Sequence, residues 1–81
     1  MPIPLYGFLE GDTLGLLVLA EASETVLELA RKLQDAASMR VAGNEELKFI
    51  YDGRTIEPDL TVAQAGLQAL DRFDVTWRTE V

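Results

Sequence analysis

The sequence predicts an α+β fold in which a mixed β-sheet packs on one long helix, with a short second helix near the end of the chain. Three observations predict this fold: two apolar segments joined by a glycine turn open the chain, an amphipathic segment with helical spacing follows, and the last segment alternates apolar and polar residues. Alternation with period two is typical of strands, and a period of 3.6 is typical of helices. A chain of 81 residues has room for one compact core, so we expect a single domain over residues 1–81.

The two opening apolar segments, residues 5–9 and 14–20, indicate a β-hairpin. Gly11 lies between them and can adopt the positive φ that a tight turn requires, and Asp12 is a favourable turn neighbour. The hairpin therefore has a turn mechanism as well as two strand-forming segments.

The long helix is predicted over residues 25–37, where apolar side chains recur every three or four positions. Thr25 and Glu28 have the spacing of a capping box, in which each side chain accepts a hydrogen bond from the other residue's backbone. Arg40 suits the negative end of the helix dipole, and Gly43 can follow a helix in the left-handed conformation. We expect the helix to end before Gly43.

The second half of the chain predicts three more strands and one short helix. Residues 47–51 indicate a third strand, Asp52-Gly53 is a strong hairpin-turn pair, and residues 54–56 form a short fourth strand. Thr61 and Gln64 repeat the capping spacing, and Gly66 ends a one-turn helix. Residues 73–77 alternate as a last strand that can pair beside the first one. The predicted core is Leu16, Val18, Val26, Leu29, Ala30, Leu33, Phe49, Val75 and Trp77, with Phe73 interpreted as core by the same alternation.

The acidic composition and two missing residue types exclude several classes of function. Fourteen Asp and Glu against seven Lys and Arg give a formal net charge of −7 (7 − 14), and His and Cys are absent. Phosphate backbones and anionic lipids attract clustered basic residues, so we expect neither nucleic acid nor membrane binding. Without His and Cys the chain has no thiolate nucleophile, no imidazole base and no ordinary zinc site. We therefore expect no enzymatic activity and no cofactor.

The sequence also gives expectations for the cellular location and for metal binding. The longest uncharged apolar stretch, residues 14–20, is too short to span a bilayer, and the opening residues do not have the pattern of a secretory signal. We expect a cytoplasmic protein. The loop carboxylates lack the dense spacing of a calcium loop, so solvated charges are the better interpretation and no metal site is expected. These carboxylates are Glu45, Glu46, Glu57 and Asp59.

The second predicted strand carries leucines on both faces. Its even-numbered residues would face the helix, which turns Leu17 and Leu19 to the opposite side of the sheet. The solvated face of an antiparallel strand is usually polar, so two outward leucines indicate either a covered face or single surface leucines. On the third strand, taken as a neighbour, Lys48 and Ile50 would extend the same patch. We interpret Leu17, Leu19, Lys48 and Ile50 as a candidate partner interface.

Two long stretches of the chain resemble ubiquitin. SETVLELARKLQD is similar to its single long helix, and LKFIYDGRTIEPDLTVAQAGLQALDRFDVTWR is similar to its later strand, turn, short helix and final strand. The resemblance implies the ubiquitin-like β-grasp fold, with a mixed sheet on one long helix.

Within that superfamily nearly the whole chain resembles system protein B of the bacterial toluene and alkene monooxygenase hydroxylases. DLTVAQAGL and FDV carry the resemblance most specifically. Further matching positions are Pro4, Phe8, Glu10, Asp12, Leu14, Val18, Ala30, Lys32, Arg40 and Val41. The chain departs from the family in having less arginine after the helix and along the next strand, where the basic residues are Arg40, Lys48 and Arg54, beside the pair Glu45 and Glu46.

The resemblance implies a non-catalytic gamma subunit of a soluble diiron multicomponent monooxygenase hydroxylase for aromatic or alkene oxidation. Such a subunit would contact the large and middle hydroxylase subunits, and the large subunit would activate oxygen and bind substrate. The alternative is a free-standing bacterial ubiquitin-like adaptor that binds another protein without conjugation activity. A covalent modifier is not expected, because it needs a terminal Gly-Gly and none of the six glycines is adjacent to another.

Overall fold

Five strands and two helices make up the part of the chain that the structure, a computed structural model, describes: residues 2–39 and 46–77. In chain order they are β1 (Ile3–Leu9), β2 (Gly15–Ala20), α1 (Val26–Ala36), β3 (Lys48–Tyr51), β4 (Arg54–Ile56), α2 (Val62–Ala65) and β5 (Arg72–Thr76). The sheet order is β2-β1-β5-β3-β4, with β1 and β5 parallel and all other neighbours antiparallel. A mixed sheet with one long and one short helix confirms the predicted fold class.

Both predicted capping boxes are present. The Glu28 N–H donates to Thr25 Oγ1 at 3.1 Å, and the Thr25 N–H donates to Glu28 Oε1 at 2.9 Å. Thr61 and Gln64 repeat the arrangement at 3.1 and 2.9 Å before α2. Each box satisfies N–H groups that the first turn of a helix otherwise leaves without a backbone partner.

The turn between β3 and β4 has the predicted geometry. Asp52 (φ 56°) and Gly53 (φ 76°) both adopt positive φ, the combination whose twist matches that of two antiparallel strands. At the other predicted boundary, α1 ends at Ala36 with Ala37 as its C-cap. The expected roles of Arg40 and Gly43, like the loop carboxylate Glu45, lie outside the described residues.

The first residue of each helix is hydrogen-bonded to the segment that precedes the other helix. The Val26 N–H of α1 donates to the Leu60 carbonyl at 2.8 Å, and the Val62 N–H of α2 donates to the Glu24 carbonyl at 2.8 Å. Thr25 and Thr61 form an isolated antiparallel bridge between these bonds. The two helix starts are therefore joined reciprocally.

The core lies between α1 and the inner face of the sheet. Its buried residues are Leu5, Leu9, Val18, Ala20, Val26, Leu29, Ala30, Leu33, Ala37, Phe49, Val62, Leu67, Phe73 and Val75. Two predicted core residues, Leu16 and Trp77, are only half-buried and pack at its margin. Leu16 belongs to an edge strand, which has a neighbour on one side only. Trp77 follows the last residue of β5, and its N–H donates to Glu10 Oε1 at 3.3 Å.

Gly7, near the middle of β1, allows the core to approach the strand backbone. A Cβ atom at this position would lie 2.7 Å from Phe73 Cζ and 3.0 Å from both Leu33 methyl carbons. Phe73 also stacks on Phe49, with 4.7 Å between ring centroids. Phe73 and Leu33 thus fill the space that a side chain at Gly7 would need.

Candidate protein-interaction face

The sheet face opposite α1 carries a cluster of apolar side chains over β1 and β2. Leu17 and Leu19 are 58% and 54% exposed, and Tyr6 is 43% exposed. Register pairs Tyr6 with Leu17 and Pro4 with Leu19 across the two strands, so their side chains are close neighbours on one face. We call Pro4, Tyr6, Leu17 and Leu19 the β1–β2 patch.

Three side chains in contact border the β1–β2 patch: Phe8, Arg72 and Asp74. The Phe8 ring lies over Gly15 of β2, where a Cβ atom would be 2.5 Å from two ring carbons. The Arg72 guanidinium carbon lies 4.1 Å from the centre of the Phe8 ring, and Arg72 Nη2 is 3.1 Å from Asp74 Oδ1. This group separates the patch from the part of the face that β3 contributes.

The structure corrects the predicted grouping of Leu17 and Leu19 with Lys48 and Ile50. Strands β1 and β5 lie between β2 and β3, so the two pairs are at separate parts of the face. Ile50 is flanked by Asp74 in the register rather than by a leucine of β2. The sequence predicted the last strand beside the first but also took the third strand as a neighbour of the second. That second expectation was wrong because β3 pairs with β4 and β5, and the local pattern of a strand does not encode which strands it pairs with.

Sequence reasoning missed Pro4 and Tyr6 as members of the face. The signal was available, because apolar residues at positions 4, 6 and 8 alternate with Leu5 and Leu9 along β1. Strand alternation requires that the even-numbered set face away from the helix. Both strands of the opening hairpin thus carry apolar residues on both faces.

A hydrogen-bonded cluster holds the loop that leads into β5. The Tyr51 hydroxyl donates to Asp71 Oδ2 at 2.6 Å, and the Gln68 N–H donates to the same oxygen at 2.9 Å. The Tyr51 bond, followed by that of Gln68, lowers the pKa of Asp71, and the same carboxylate is the main cause of a raised pKa at Tyr51. Next to it, Leu70 has φ 70° and donates its N–H to the Pro4 carbonyl at 2.6 Å.

The depressions on the described part of the molecule are open to solvent, and its exposed apolar face is better suited to contact another protein than to enclose a small ligand. Two shallow depressions beside Ile50 are widely open to solvent. In residues 2–39 and 46–77, Asp and Glu form no group of three suited to hold a metal ion. Within the same ranges no helix has the length and apolar character needed to cross a membrane.

Comparisons with known proteins give one family and a consistent fold. The family model described as toluene-4-monooxygenase system protein B (TmoB) matches residues 2–77. A chain of the solved toluene 4-monooxygenase HD complex with the inhibitor 4-bromobenzoate is similar at a TM-score of 0.88 and 23% identity, covering 96% of this chain and 100% of that one. None of the curated protein sequences matches the chain.

Ubiquitin-like proteins from other sources share the fold. Ubiquitin of Caldiarchaeum subterraneum has a TM-score of 0.77 at 18% identity, covering 99% of this chain and 98% of its own. The ubiquitin-like domain of Plasmodium falciparum Dsk2 has a TM-score of 0.77 at 18% identity, covering 96% and 100%. The predicted ubiquitin-like β-grasp fold is confirmed.

Proposed function

The chain belongs to the toluene-4-monooxygenase system protein B family, and from that membership we propose that it is a non-catalytic subunit of a diiron multicomponent monooxygenase hydroxylase. The observation that carries the proposal is the family match over residues 2–77. In this role the chain acts by binding other subunits, in the cytoplasm, and the oxidised substrate is an aromatic compound or an alkene.

We assign the chemistry to another chain of the complex. A carboxylate-bridged metal pair needs several ligands at one place, and His and Cys are absent from this sequence. The described Asp and Glu residues also do not converge in groups of three. These observations support an accessory role, and the family resemblance implies that the diiron centre lies in the large subunit.

The β1–β2 patch is the proposed docking surface, with the large and middle hydroxylase subunits as partners. Leu17 and Leu19 are more than half exposed, and removing apolar area from water contributes roughly 25 cal/mol per Å² before the costs of association. Arg72 and Asp74 beside the patch supply the polar rim that interfaces have around an apolar centre. Lys48 and Ile50 form a separate, secondary contact region in this proposal.

Leu17→Asp tests the docking surface, and Leu14→Asp is its matched control. Leu14 is 50% exposed and precedes β2, outside the β1–β2 patch. We expect both variants to unfold at temperatures near that of the parent, because each replaces an exposed side chain. Leu17→Asp should lose co-purification with the large and middle subunits, and Leu14→Asp should retain it.

Two results would change the proposal. If folded Leu17→Asp assembles as well as the parent, the β1–β2 patch is not the docking surface. If the parent itself binds no hydroxylase subunit, the free-standing ubiquitin-like adaptor becomes the better interpretation.

A further inference from the structure

The hydrogen bonds of β1 alternate between its two neighbouring strands. The Pro4 carbonyl accepts from the Leu70 N–H, and the Tyr6 N–H donates to the Asp71 carbonyl, so the even-numbered residues of β1 bond towards β5. Because the N–H and C=O of one strand residue point to the same side, the odd-numbered residues bond towards β2. Their register partners, which complete this ladder, are Leu16, Val18 and Ala20.

The remaining residues of β2, Gly15, Leu17 and Leu19, therefore turn their backbone groups to the open edge of the sheet. The Lys32 ammonium agrees with this direction, since it reaches the Leu19 carbonyl from outside the sheet at 2.7 Å. Across the described ranges, the N–H and C=O of Leu17 and the N–H of Leu19 have no such side-chain partner. An edge of this kind can pair with a strand from another chain.

The side chains along this edge favour an apolar partner strand. Leu17 and Leu19 point their side chains to the outer face and belong to the β1–β2 patch. A strand laid along β2 would place its own alternate residues beside them and continue the patch by one more row. Residues 13–20 carry no charge, so the edge has no internal charged residue to oppose pairing.

Charges at the two ends of the edge discriminate between possible occupants. Asp12 lies at the hairpin end, and Glu21 and Glu24 follow the other end, where Lys32 Nζ is 3.0 Å from Glu24 Oε2 and offsets one of the two charges. A second copy paired along β2, parallel or antiparallel, would bring acidic ends together in a dimer of two chains that each carry −7. A strand with basic residues at its ends avoids this repulsion.

We propose that the open edge of β2 receives one extended segment of the hydroxylase as a sixth strand, paired with the backbone of Leu17 and the N–H of Leu19. The segment carries aliphatic residues at alternate positions and Lys or Arg at its ends. Lys32, bound to the Leu19 carbonyl, marks where the pairing stops. This inference rests on the proposed function and adds to it the backbone contact by which docking occurs.

Leu17→Pro and Leu17→Ala separate backbone pairing from side-chain contact. Proline removes the edge N–H while leaving the bonds to β1, and edge positions tolerate it; alanine shortens the side chain and keeps the N–H. We expect hydroxylase that lacks this subunit to bind Leu17→Pro at least tenfold more weakly than Leu17→Ala. Thr55→Pro is the matched control, because the same alternation through β5 and β3 turns the Thr55 backbone to the opposite open edge. Its binding should equal that of the parent.

A second measurement covers the case in which Leu17→Pro unfolds. In the parent, the amide hydrogens of Leu17 and Leu19 should exchange with deuterium rapidly when the protein is free and at least tenfold more slowly in the complex. Unchanged exchange, or equal binding of folded Leu17→Pro and Leu17→Ala, overturns strand pairing and leaves the proposed function intact. A parent that binds no hydroxylase overturns both.

Discussion

Gly7→Ala should destabilise this protein, although alanine replaces glycine favourably at most unstrained positions. The substitution puts a methyl group 2.7 Å from Phe73 Cζ and 3.0 Å from both Leu33 methyl carbons. Contacts below about 3.4 Å between carbons are repulsive, so the neighbours must move. Phe73 is fully buried and Leu33 is 1% exposed, so neither side chain has solvent to move into.

The expected loss of stability combines two opposing effects. Overpacking a well-packed core costs about 1 to 3 kcal/mol. Replacing glycine restricts the unfolded chain and returns about 0.4 to 1 kcal/mol. The middle of each range gives a net loss of about 1.3 kcal/mol, which is a large part of the roughly 3 to 5 kcal/mol that a core of this size provides. At about 4 to 8 °C per kcal/mol, Tm should fall by about 5 to 10 °C.

Urea unfolding of the parent, both single variants and the double variant tests the packing argument. Leu33→Ala alone should cost about 2 to 5 kcal/mol, because it leaves a cavity beside Gly7. In the double variant the new methyl of Gly7→Ala occupies part of that cavity, so the combined loss should be smaller than the sum of the single losses. A Gly7→Ala protein as stable as the parent, or strictly additive losses, would refute the reasoning.

Three further variants test the Tyr51–Asp71 hydrogen bond and the two described non-glycine residues with positive φ, Asp52 and Leu70. Tyr51→Phe should lower the free energy of unfolding by about 1 kcal/mol, the size of a partly solvated hydrogen bond. Because the pKa of Asp71 is lowered in the folded protein, the stability that its carboxylate contributes is present above pH 4 and is lost as the pH falls through the folded pKa. Because the pKa of Tyr51 is raised, the stability that its hydroxyl contributes is present below pH 10 and is lost as the pH rises through the folded pKa. The difference between parent and variant, measured by urea unfolding, should shrink at both extremes; a difference constant from pH 3 to 11 would contradict the assignment. Leu70→Asn should raise the free energy of unfolding by about 1 kcal/mol, because Leu70 is 60% exposed at φ 70° and asparagine tolerates the left-handed region better. Asp52→Ala, at the other described non-glycine residue with positive φ, should lower it. Changes of the opposite signs would contradict the role of the backbone conformation.

Local sequence signals predicted most of the fold, but they did not predict which strands separate β2 from β3 in the sheet. The capping boxes at Thr25 and Thr61 and the Asp52-Gly53 turn depend on residues within four positions of each other, and all three are present. The candidate face was predicted only in part. That Leu17 faces outward follows from alternation within one strand, but its separation from Ile50 follows from β5 lying between β1 and β3.

The reciprocal bonds between the two helix starts restrict how the chain can vary in length. Helix α2 has four residues, too few to persist alone, and its Val62 N–H depends on the Glu24 carbonyl just as the Val26 N–H of α1 depends on the Leu60 carbonyl. An insertion or deletion between β4 and α2 would shift Leu60 and so remove a partner from α1 as well. Length differences among chains of this fold should therefore avoid the segment before α2. They should accumulate in turns whose hydrogen bonds are local, as at residues 11–13 between β1 and β2.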